Sequence, residues 1–335
     1  DEDPVVSTVA RGLLEEVTRK RTGGLIEIGK LLNSPPAPGE GRKADIKSLW
    51  SAVRKSLQRF SATIDIQHKT LICGGKVVGW GKRRDISKLL RAQRHKEYIN
   101  QLKTSPDQGR TFSCVSAHPA SNSFIRSGRY ISFGEYRFAI KARLNLLPTK
   151  TVLRRCGKTV ANVSCPVCNM EQETLAHVLN HCGPNEGLIR ARHNAILHRL
   201  SKAIPTGQGR QFLEQSIPGD NSALKPDLVV LDELSHRATV IDVSVPFEGE
   251  GLLEESRRAK VAKYSYLEGI LQAKGYTDVV IDAFIVGSLG SWDPLNEPLL
   301  RRLRISERYL RTFRRLCSWQ AIHGSYAIWE KKRQH

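Results

Sequence analysis

Two short apolar runs, each carrying an aspartate, constrain the fold of this chain more than any other feature. Asp227 directly precedes the run 228–230, and Asp242 lies inside the run 240–245. The turn-forming residues between them predict a β-hairpin closed by a loop at 232–236. Successive side chains alternate between the two faces of a strand. Asp242 therefore lies in the middle of the strand, on a face that is not simply exposed to solvent. A carboxylate there is costly unless it is paired, hydrogen-bonded or bound to a metal.

The segment after the hairpin adds lysines to these two carboxylates. Helix formers dominate residues 252–267, and the helical spacing places Ser256, Lys260, Lys263 and Leu267 on one face. Two carboxylates on neighbouring strands with a lysine nearby are the groups that metal-assisted phosphodiester hydrolysis requires. Lysines on a helix are most often solvated charges, and only the two upstream aspartates favour a catalytic role here.

A cluster of cysteines and histidines lies upstream of the hairpin. Three thiols and one imidazole fall within eighteen residues and form a ligand set typical of structural zinc, namely Cys165, Cys168, His177 and Cys182. The CxxC pair predicts a knuckle, and the last two ligands lie on or at the end of a short helix. Scattered buried thiols are the alternative, which the ligand count and spacing disfavour. His181 is a competing ligand, but its place beside Cys182 makes closure of the same tetrahedron strained.

Several motifs in a fixed order resemble the C-terminal part of site-specific non-LTR retrotransposon polyproteins of the ribosomal-DNA-inserting type. The order is the CCHC knuckle, Arg192-His193-Asn194, Lys225-Pro226-Asp227, Asp242, and then Lys260 or Lys263 followed by Tyr264. The segments 143–148, 245–248 and 285–293 also look like that family. The resemblance covers residues 110 to 330, or thereabouts, and rests on several motifs rather than on one.

The resemblance implies a fold and an activity. The fold is α/β, with a helical N-terminal linker region, a small zinc knuckle and a restriction-endonuclease-like mixed β-sheet flanked by helices. The activity is that of a PD-(D/E)xK DNA endonuclease, with Asp227 and Asp242 as catalytic Mg²⁺ ligands. In this family the lysine has moved from the second strand to the following helix, which fits the serine at Ser244 and leaves Lys260 or Lys263 as the catalytic lysine. Zn²⁺ is the implied structural cofactor and Mg²⁺ the catalytic one.

The same resemblance implies a domain order and partners. The expected segments are a partly disordered 1–44, a helical thumb and linker region at 45–155, the knuckle at 156–185 and the endonuclease at 186–335. The implied partners are double-stranded target DNA, the element RNA and the reverse transcriptase core of the same polyprotein, in the nucleus. The endonuclease would nick target DNA to prime reverse transcription. No polymerase motif of paired aspartates after an aromatic residue occurs in the sequence, so this chain alone cannot polymerise.

Charge and composition agree with a nucleic-acid partner. The formal net charge is +20 and the isoelectric point is about 9.9, which favours a polyanion, with a membrane surface as the weaker alternative. No apolar run long enough for a transmembrane helix is present. The cysteines outside the knuckle are typical of reduced intracellular thiols. The single methionine, not at position 1, indicates a piece of something longer.

Basic residues near the C-terminus predict a further nucleic-acid surface. Five arginines recur at spacings of three and four and would lie along one helix face: Arg301, Arg304, Arg308, Arg311 and Arg315. A solvated face is the alternative, but Glu307 alone cannot offset five cations. We expect Arg304, Arg308 and Arg311 to contact nucleic acid, together with Arg192 and His193 on a predicted helix at 186–203. Without the family resemblance, His193 would be interpreted as a packing residue.

The remaining predictions concern helices and a rival function. Helices are predicted at 8–16, 46–57, 85–102 and 132–147, and a proline- and glycine-rich linker at 33–43. The rival to a nuclease is a non-catalytic, zinc-dependent nucleic-acid-binding fragment of a decayed or domesticated element. It requires the same charge and zinc site but no buried carboxylates. The intact aspartates and lysines argue against decay.

Overall fold

The computed structural model describes residues 3–22, 27–34, 49–217 and 224–334, which fall into two compact units, Asp1–Leu102 and Lys103–His335. The first unit combines helices with a small antiparallel sheet, whose Leu71 and Cys73 are buried while Ile72 between them is exposed. Its elements are α1 (Pro4–Thr22), α2 (Ile28–Asn33), α3 (Leu49–Arg59), β1 (Ala62–Asp65), β2 (Thr70–Cys73), β3 (Lys76–Gly79) and α4 (Arg83–Thr104). Leu57, Leu71 and Cys73 are among the buried residues that join the sheet to the helices.

The first unit confirms the predicted helices in part and adds a sheet. Helices are present around 8–16 and 85–102 and over the described part of 46–57. Most of the predicted linker 33–43 lies outside the described residues. The sheet β1–β3 was not predicted in a region expected to be helical. Its strands are four residues long, and its β2–β3 turn uses Gly74 and Gly75 at φ values of +57° and +76°, which glycine adopts readily.

The second unit is built around a four-stranded sheet. Its elements are α5 (Phe112–Ser116), α6 (Ser123–Ser127), α7 (Phe133–Arg143), α8 (Lys150–Arg155), α9 (Leu175–Asn180), α10 (Glu186–Ala203), β4 (Arg210–Leu213), β5 (Leu228–Asp232), β6 (Arg237–Ser244), α11 (Leu252–Tyr264), α12 (Leu267–Ala273), β7 (Asp278–Ile285), α13 (Asn296–Arg302) and α14 (Glu307–Lys332). The helix α10 occupies the segment predicted at 186–203, whereas α7 ends four residues before the predicted segment 132–147 does, because Asn145 has a left-handed backbone with φ of +49°. A capping box between Ser132 and Glu135 starts α7.

The sheet has the order β4-β5-β6-β7. The strands β4, β5 and β6 pair antiparallel, whereas β6 and β7 pair parallel across the α11–α12 connection. The predicted hairpin is therefore present as β5–β6, with Leu228 opposite Ile241. The expected α/β class, a mixed sheet flanked by helices and preceded by helical segments, is confirmed.

Both faces of β6 are covered, which explains why its sequence is an almost unbroken apolar run. Ile241 and Val243 pack on one face into a core that includes Leu197 of α10 and Phe313 of α14. Val240 packs on the other face in a core that includes Tyr264 and Leu267. Each large aliphatic side chain buried in this way stabilises the fold by about 1.5–3 kcal/mol. Asp242 is thus held between two helical layers.

A buried carboxylate, Glu248, organises the loop after β7. It is fully buried and accepts hydrogen bonds from the backbone N–H of Leu289 at 2.8 Å and from the N–H and Oγ of Ser291 at 3.2 and 3.0 Å. Arg143 Nε donates to the Leu289 carbonyl at 3.0 Å. Burial raises the pKa of Glu248, because it outweighs these hydrogen bonds and the nearby arginine charge, which lower the pKa. The three segments 143–148, 245–248 and 285–293 therefore meet at one place.

We expect Glu248→Ala to lower the free energy of unfolding by about 3–5 kcal/mol, because it leaves buried cations and loop donors without their carboxylate. Urea denaturation followed by circular dichroism measures the change. Glu250→Ala, at an exposed glutamate two residues along the chain, is the matched control and should change the stability by no more than about 0.5 kcal/mol. Equal urea midpoints for the two variants would contradict the proposed contribution of Glu248 to stability.

Candidate functional site

The two aspartates of the hairpin open onto one cavity. Asp227 immediately precedes β5 and Asp242 lies near the end of β6, so extending the strand register by one residue places them opposite each other. The cavity has a volume of about 240 Å³, and both aspartates line it with His193, Lys260 and Lys263. The hairpin, α10 and α11 thus bring these five predicted site residues to one place.

Asp242 is the more deeply buried of the two carboxylates. Its side chain is 4% exposed, and the Lys260 Nζ lies 2.5 Å from its Oδ2. This oxygen nevertheless has no partner with hydrogen-bond geometry, so the lysine contact is an ion pair with poor alignment. A buried carboxylate oxygen without a hydrogen bond is rare and calls for a compensating ligand.

Asp227 is held by groups from two elements. Its Oδ2 accepts a hydrogen bond from the Val243 N–H at 2.6 Å and lies 3.0 Å from His193 Nε2. The same nitrogen of His193 lies 3.2 Å from the Val243 carbonyl oxygen. Burial lowers the pKa of His193, but the hydrogen bond to Asp227 and its charge outweigh burial and raise it to about 9. His193 therefore has a positioning contact with the site that spacing alone did not reveal.

The helix α11 presents its predicted polar face to the cavity. Ser256 Oγ lies 2.9 Å from Ser244 Oγ, which shares the Asp242 face of β6. The buried Tyr264 donates its hydroxyl hydrogen to the Lys225 carbonyl at 2.9 Å and so fixes the start of the hairpin. Lys263 Nζ lies 4.7 Å from the centroid of the Tyr264 ring, whereas Lys260 reaches the carboxylate. No local pattern in the sequence indicated the anchoring role of Tyr264.

Arg192 also lines the cavity, but its side chain is held by contacts within the protein. It is 2% exposed, and its Nη1 donates to Ser325 Oγ at 2.7 Å. Its stem packs against Gly324 of α14, where an added Cβ would lie 2.6 Å from the Arg192 Cβ. Burial lowers the pKa of its guanidinium to about 10. These contacts join α10 to α14 and leave little of the guanidinium free for the expected contact with nucleic acid.

The five C-terminal arginines do not share one helix face. The helix α13 ends at Arg302, and Arg304 has a left-handed backbone with φ of +51° before α14 begins at Glu307. The Ile305 N–H bonds to the Leu300 carbonyl, as in a Schellman ending, while Leu303 and Ile305 turn into the core. Arg304, Arg308 and Arg311 are all exposed, but on a turn and a separate helix.

The predicted zinc ligands form one compact cluster. One ligand atom from each of Cys165, Cys168, His177 and Cys182 lies within 4.8 Å of all the others. The Cys165 and Cys182 sulfurs are 3.9 Å apart, and Cys168 Sγ is 3.3 Å from His177 Nε2. A tetrahedral ion with bonds of roughly 2.3 Å to sulfur requires sulfur–sulfur distances of about 3.8 Å, so this donor set fits zinc. His181 is exposed and outside the cluster.

Further contacts orient the knuckle ligands. Glu171 Oε2 lies 3.0 Å from His177 Nδ1, an arrangement that fixes the ring and directs Nε2 at the sulfurs. Backbone hydrogen bonds from Met170 and Glu171 lower the pKa of Cys168 to about 6, which favours the thiolate. The buried Glu173 accepts a hydrogen bond from the Lys150 N–H at 2.7 Å and lies 2.6 Å from Lys332 Nζ. These two pairs attach the knuckle to α8 and α14.

The chain is similar to part of a retrotransposon protein. It is 27% identical over 136 residues to the retrovirus-related Pol polyprotein from type-2 retrotransposable element R2DM of Drosophila melanogaster, a stretch that makes up 41% of this chain and 12% of that polyprotein. No family model matches the chain. Among the described residues no helix is long and apolar enough to cross a membrane. The similarity supports a relationship to retrotransposon polyproteins and a retroelement-related function.

Proposed function

We propose that this chain carries a Mg²⁺-dependent DNA endonuclease that nicks target DNA to prime reverse transcription, within a retrotransposon polyprotein. The observation that carries the proposal is the shared cavity of Asp227, Asp242 and Lys260 at one end of the β5–β6 hairpin. The similarity to the Drosophila polyprotein and the net charge of +20 support it. Target DNA, element RNA and the polymerase core are the proposed partners, in the nucleus.

The side chains in the cavity suit a hard cation. Asp227 and Asp242 would hold Mg²⁺, which prefers carboxylate oxygens and retains several waters. The buried Asp242 Oδ2 without a hydrogen bond is the observation that favours a cation there. Mg²⁺, when bound, lowers the pKa of an attacking water and neutralises charge that develops on the phosphate.

The protein groups around the aspartates have separable roles. Lys260 carries three N–H donors, so its ammonium can contact Asp242 and still orient a water or a phosphate oxygen in the cavity. His193 and the Val243 N–H hold Asp227 in place. Lys263, which lines the same cavity without an ion pair to Asp242, would contact the DNA phosphates. The product is a nick with a free 3′-hydroxyl.

The zinc cluster and the surface charges have binding roles in this proposal. Zinc at Cys165, Cys168, His177 and Cys182 would rigidify the knuckle, which α8 and α14 support through Glu173. The exposed Arg304, Arg308 and Arg311 would contact DNA or template RNA.

Incubating supercoiled plasmid with the protein and Mg²⁺ tests the activity, because a single nick converts the plasmid to open circles. A chelator should stop the reaction. The non-catalytic alternative predicts retarded plasmid in gels but no open circles with Mg²⁺ or Mn²⁺. That outcome, with protein that still binds DNA, would refute the nuclease.

Two single-residue variants distinguish the roles of the two lysines. We expect Lys260→Ala to reduce the nicking rate by about 10²–10³-fold, because its ammonium is the one beside Asp242. Lys263→Ala should weaken DNA binding and lower the rate by less than about tenfold, as loss of one phosphate contact does. Nicking rates at saturating protein report the catalytic step, whereas rates at limiting protein also report DNA binding, so the two measurements separate a loss of catalysis from a loss of binding. The reverse order of the two variants would assign catalysis to Lys263.

A further inference from the structure

The outward face of α4 carries a row of basic residues that the proposed nuclease does not use. Arg84, Lys88, Arg91 and His95 follow one another at spacings of four, three and four residues, and Tyr98 continues the row three residues later. This spacing keeps them on one side of a helix. These five residues, called the α4 stripe below, are all exposed, and no acidic residue interrupts them.

The opposite side of α4 is the one that packs. Ile86, Leu89 and Leu90 contact the core of the first unit, although no residue of the helix is fully buried. The stripe therefore faces away from that core. Within the described residues, Arg84, Lys88 and Arg91 form no ion pair or hydrogen bond through their side chains. Like charges at these spacings repel each other, and a polyanion lying along the helix would remove that repulsion.

An aromatic side chain at the end of the stripe indicates which kind of polyanion the stripe would bind. Tyr98 is 50% exposed, and the Arg94 guanidinium lies over its ring at 4.4 Å from the centroid. Glu97, 3.0 Å from Arg94, holds that guanidinium in place. An exposed ring fixed beside a row of cations is the combination that binds unpaired strands, since cations follow the backbone and the ring stacks on a base. Duplex bases are already stacked and have no face free for it.

We propose that the α4 stripe binds a single-stranded nucleic acid, with its cationic side chains along the phosphates and Tyr98 stacked on a base. The stripe spans fifteen residues from Arg84 to Tyr98, or roughly 21 Å of helix, enough for several nucleotides. The inference goes beyond the nuclease because none of these residues lines the cleft of Asp227 and Asp242.

The test measures binding of the full chain to labelled oligonucleotides by fluorescence anisotropy at several salt concentrations. The probes are an unpaired RNA, the same sequence as unpaired DNA, and the blunt DNA duplex. The stripe variant is Arg84→Gln/Lys88→Gln/Arg91→Gln. Its matched control is Arg11→Gln/Arg19→Gln/Lys76→Gln, which removes three exposed cations elsewhere in the first unit.

We expect the stripe variant to reduce the salt slope for unpaired strands by about two, since each phosphate contact contributes roughly 0.7, and the control to leave it nearly unchanged. Tyr98→Ala should weaken binding of unpaired strands by about tenfold with little effect on duplex, and Tyr98→Phe should retain binding. The RNA and DNA probes show which sugar is preferred.

Two results would overturn the inference. Equal salt slopes for the stripe and control variants would show that α4 makes no specific contact. Equal losses for unpaired and duplex probes, with no effect of Tyr98→Ala, would reject the single-strand assignment. Asp227→Asn serves to separate this inference from the nuclease, because it should abolish nicking without changing affinity for unpaired strands.

Discussion

Asp227→Asn and Asp242→Asn should each reduce nicking of supercoiled plasmid to background, a loss of at least about 10³-fold. Either change removes one anionic oxygen ligand while preserving the shape of the side chain. A catalytic cation stabilises the transition state by several kcal/mol. Each loss of about 1.36 kcal/mol of this stabilisation lowers the rate tenfold. Asp242→Asn should also release the Lys260 ammonium, since the buried Asp242 carboxylate bears the Lys260 contact.

Both variants should bind DNA as well as the unaltered protein or slightly more tightly, because a carboxylate that repels phosphate has been neutralised. Glu233→Gln, at an exposed acid in the loop at the other end of the same hairpin, is the matched control and should nick normally. Electrophoresis of plasmid time courses gives the rates, and anisotropy gives the affinities. Undiminished nicking by the double aspartate variant would end the endonuclease assignment.

The hairpin and the knuckle were predictable because their signals are local. Short apolar runs bounded by turn-forming residues predict strands, and β5–β6 consists of two such runs with both faces of the sheet buried. The four predicted zinc ligands lie within eighteen residues of one another, so a short segment brings them together. The same locality explains why α10 could be predicted as residues 186–203.

The errors arose where distant segments decide the outcome. Arg192 looked available for phosphate, but its burial depends on the close approach of Gly324 in α14. The C-terminal arginines follow a helical spacing, yet the helix ends because Leu303 and Ile305 are drawn into a core formed with other elements. Spacing along one segment carries no information about such packing.

Buried acids were missed for a related reason. Glu248 and Glu173 look like ordinary surface glutamates in the sequence, since glutamate is seldom fully buried unless it is paired. Their partners are the loop donors of Leu289 and Ser291 for one, and Lys150 and Lys332 for the other. These partners lie at least twenty residues away, which no local pattern records. The resemblance of the segments 245–248 and 285–293 to one family singled them out, but it did not show that they meet in the fold.

Replacing Cys165 by serine should both abolish zinc binding and destabilise the second unit by several kcal/mol. Cys165 is fully buried, with its sulfur 3.9 Å from that of Cys182, so the variant leaves a buried hydroxyl where a metal bond belongs. Metal binding contributes directly to folding when a site is absent in the unfolded chain. Without zinc the knuckle loosens, and Glu173 loses the position from which it pairs with Lys150 and Lys332.

Metal analysis of the purified protein should find about one Zn²⁺ per chain, as one four-ligand site requires. Cys156→Ser changes an exposed cysteine outside the cluster and should leave both zinc content and the urea midpoint unchanged. His177→Ala should behave like Cys165→Ser, whereas His181→Ala should be mild, because His181 is exposed and does not join the ligand atoms. Protein without zinc whose stability does not change in Cys165→Ser would rule out a structural metal, and the knuckle would then depend on the contacts of Glu173 with the Lys150 N–H and the Lys332 ammonium.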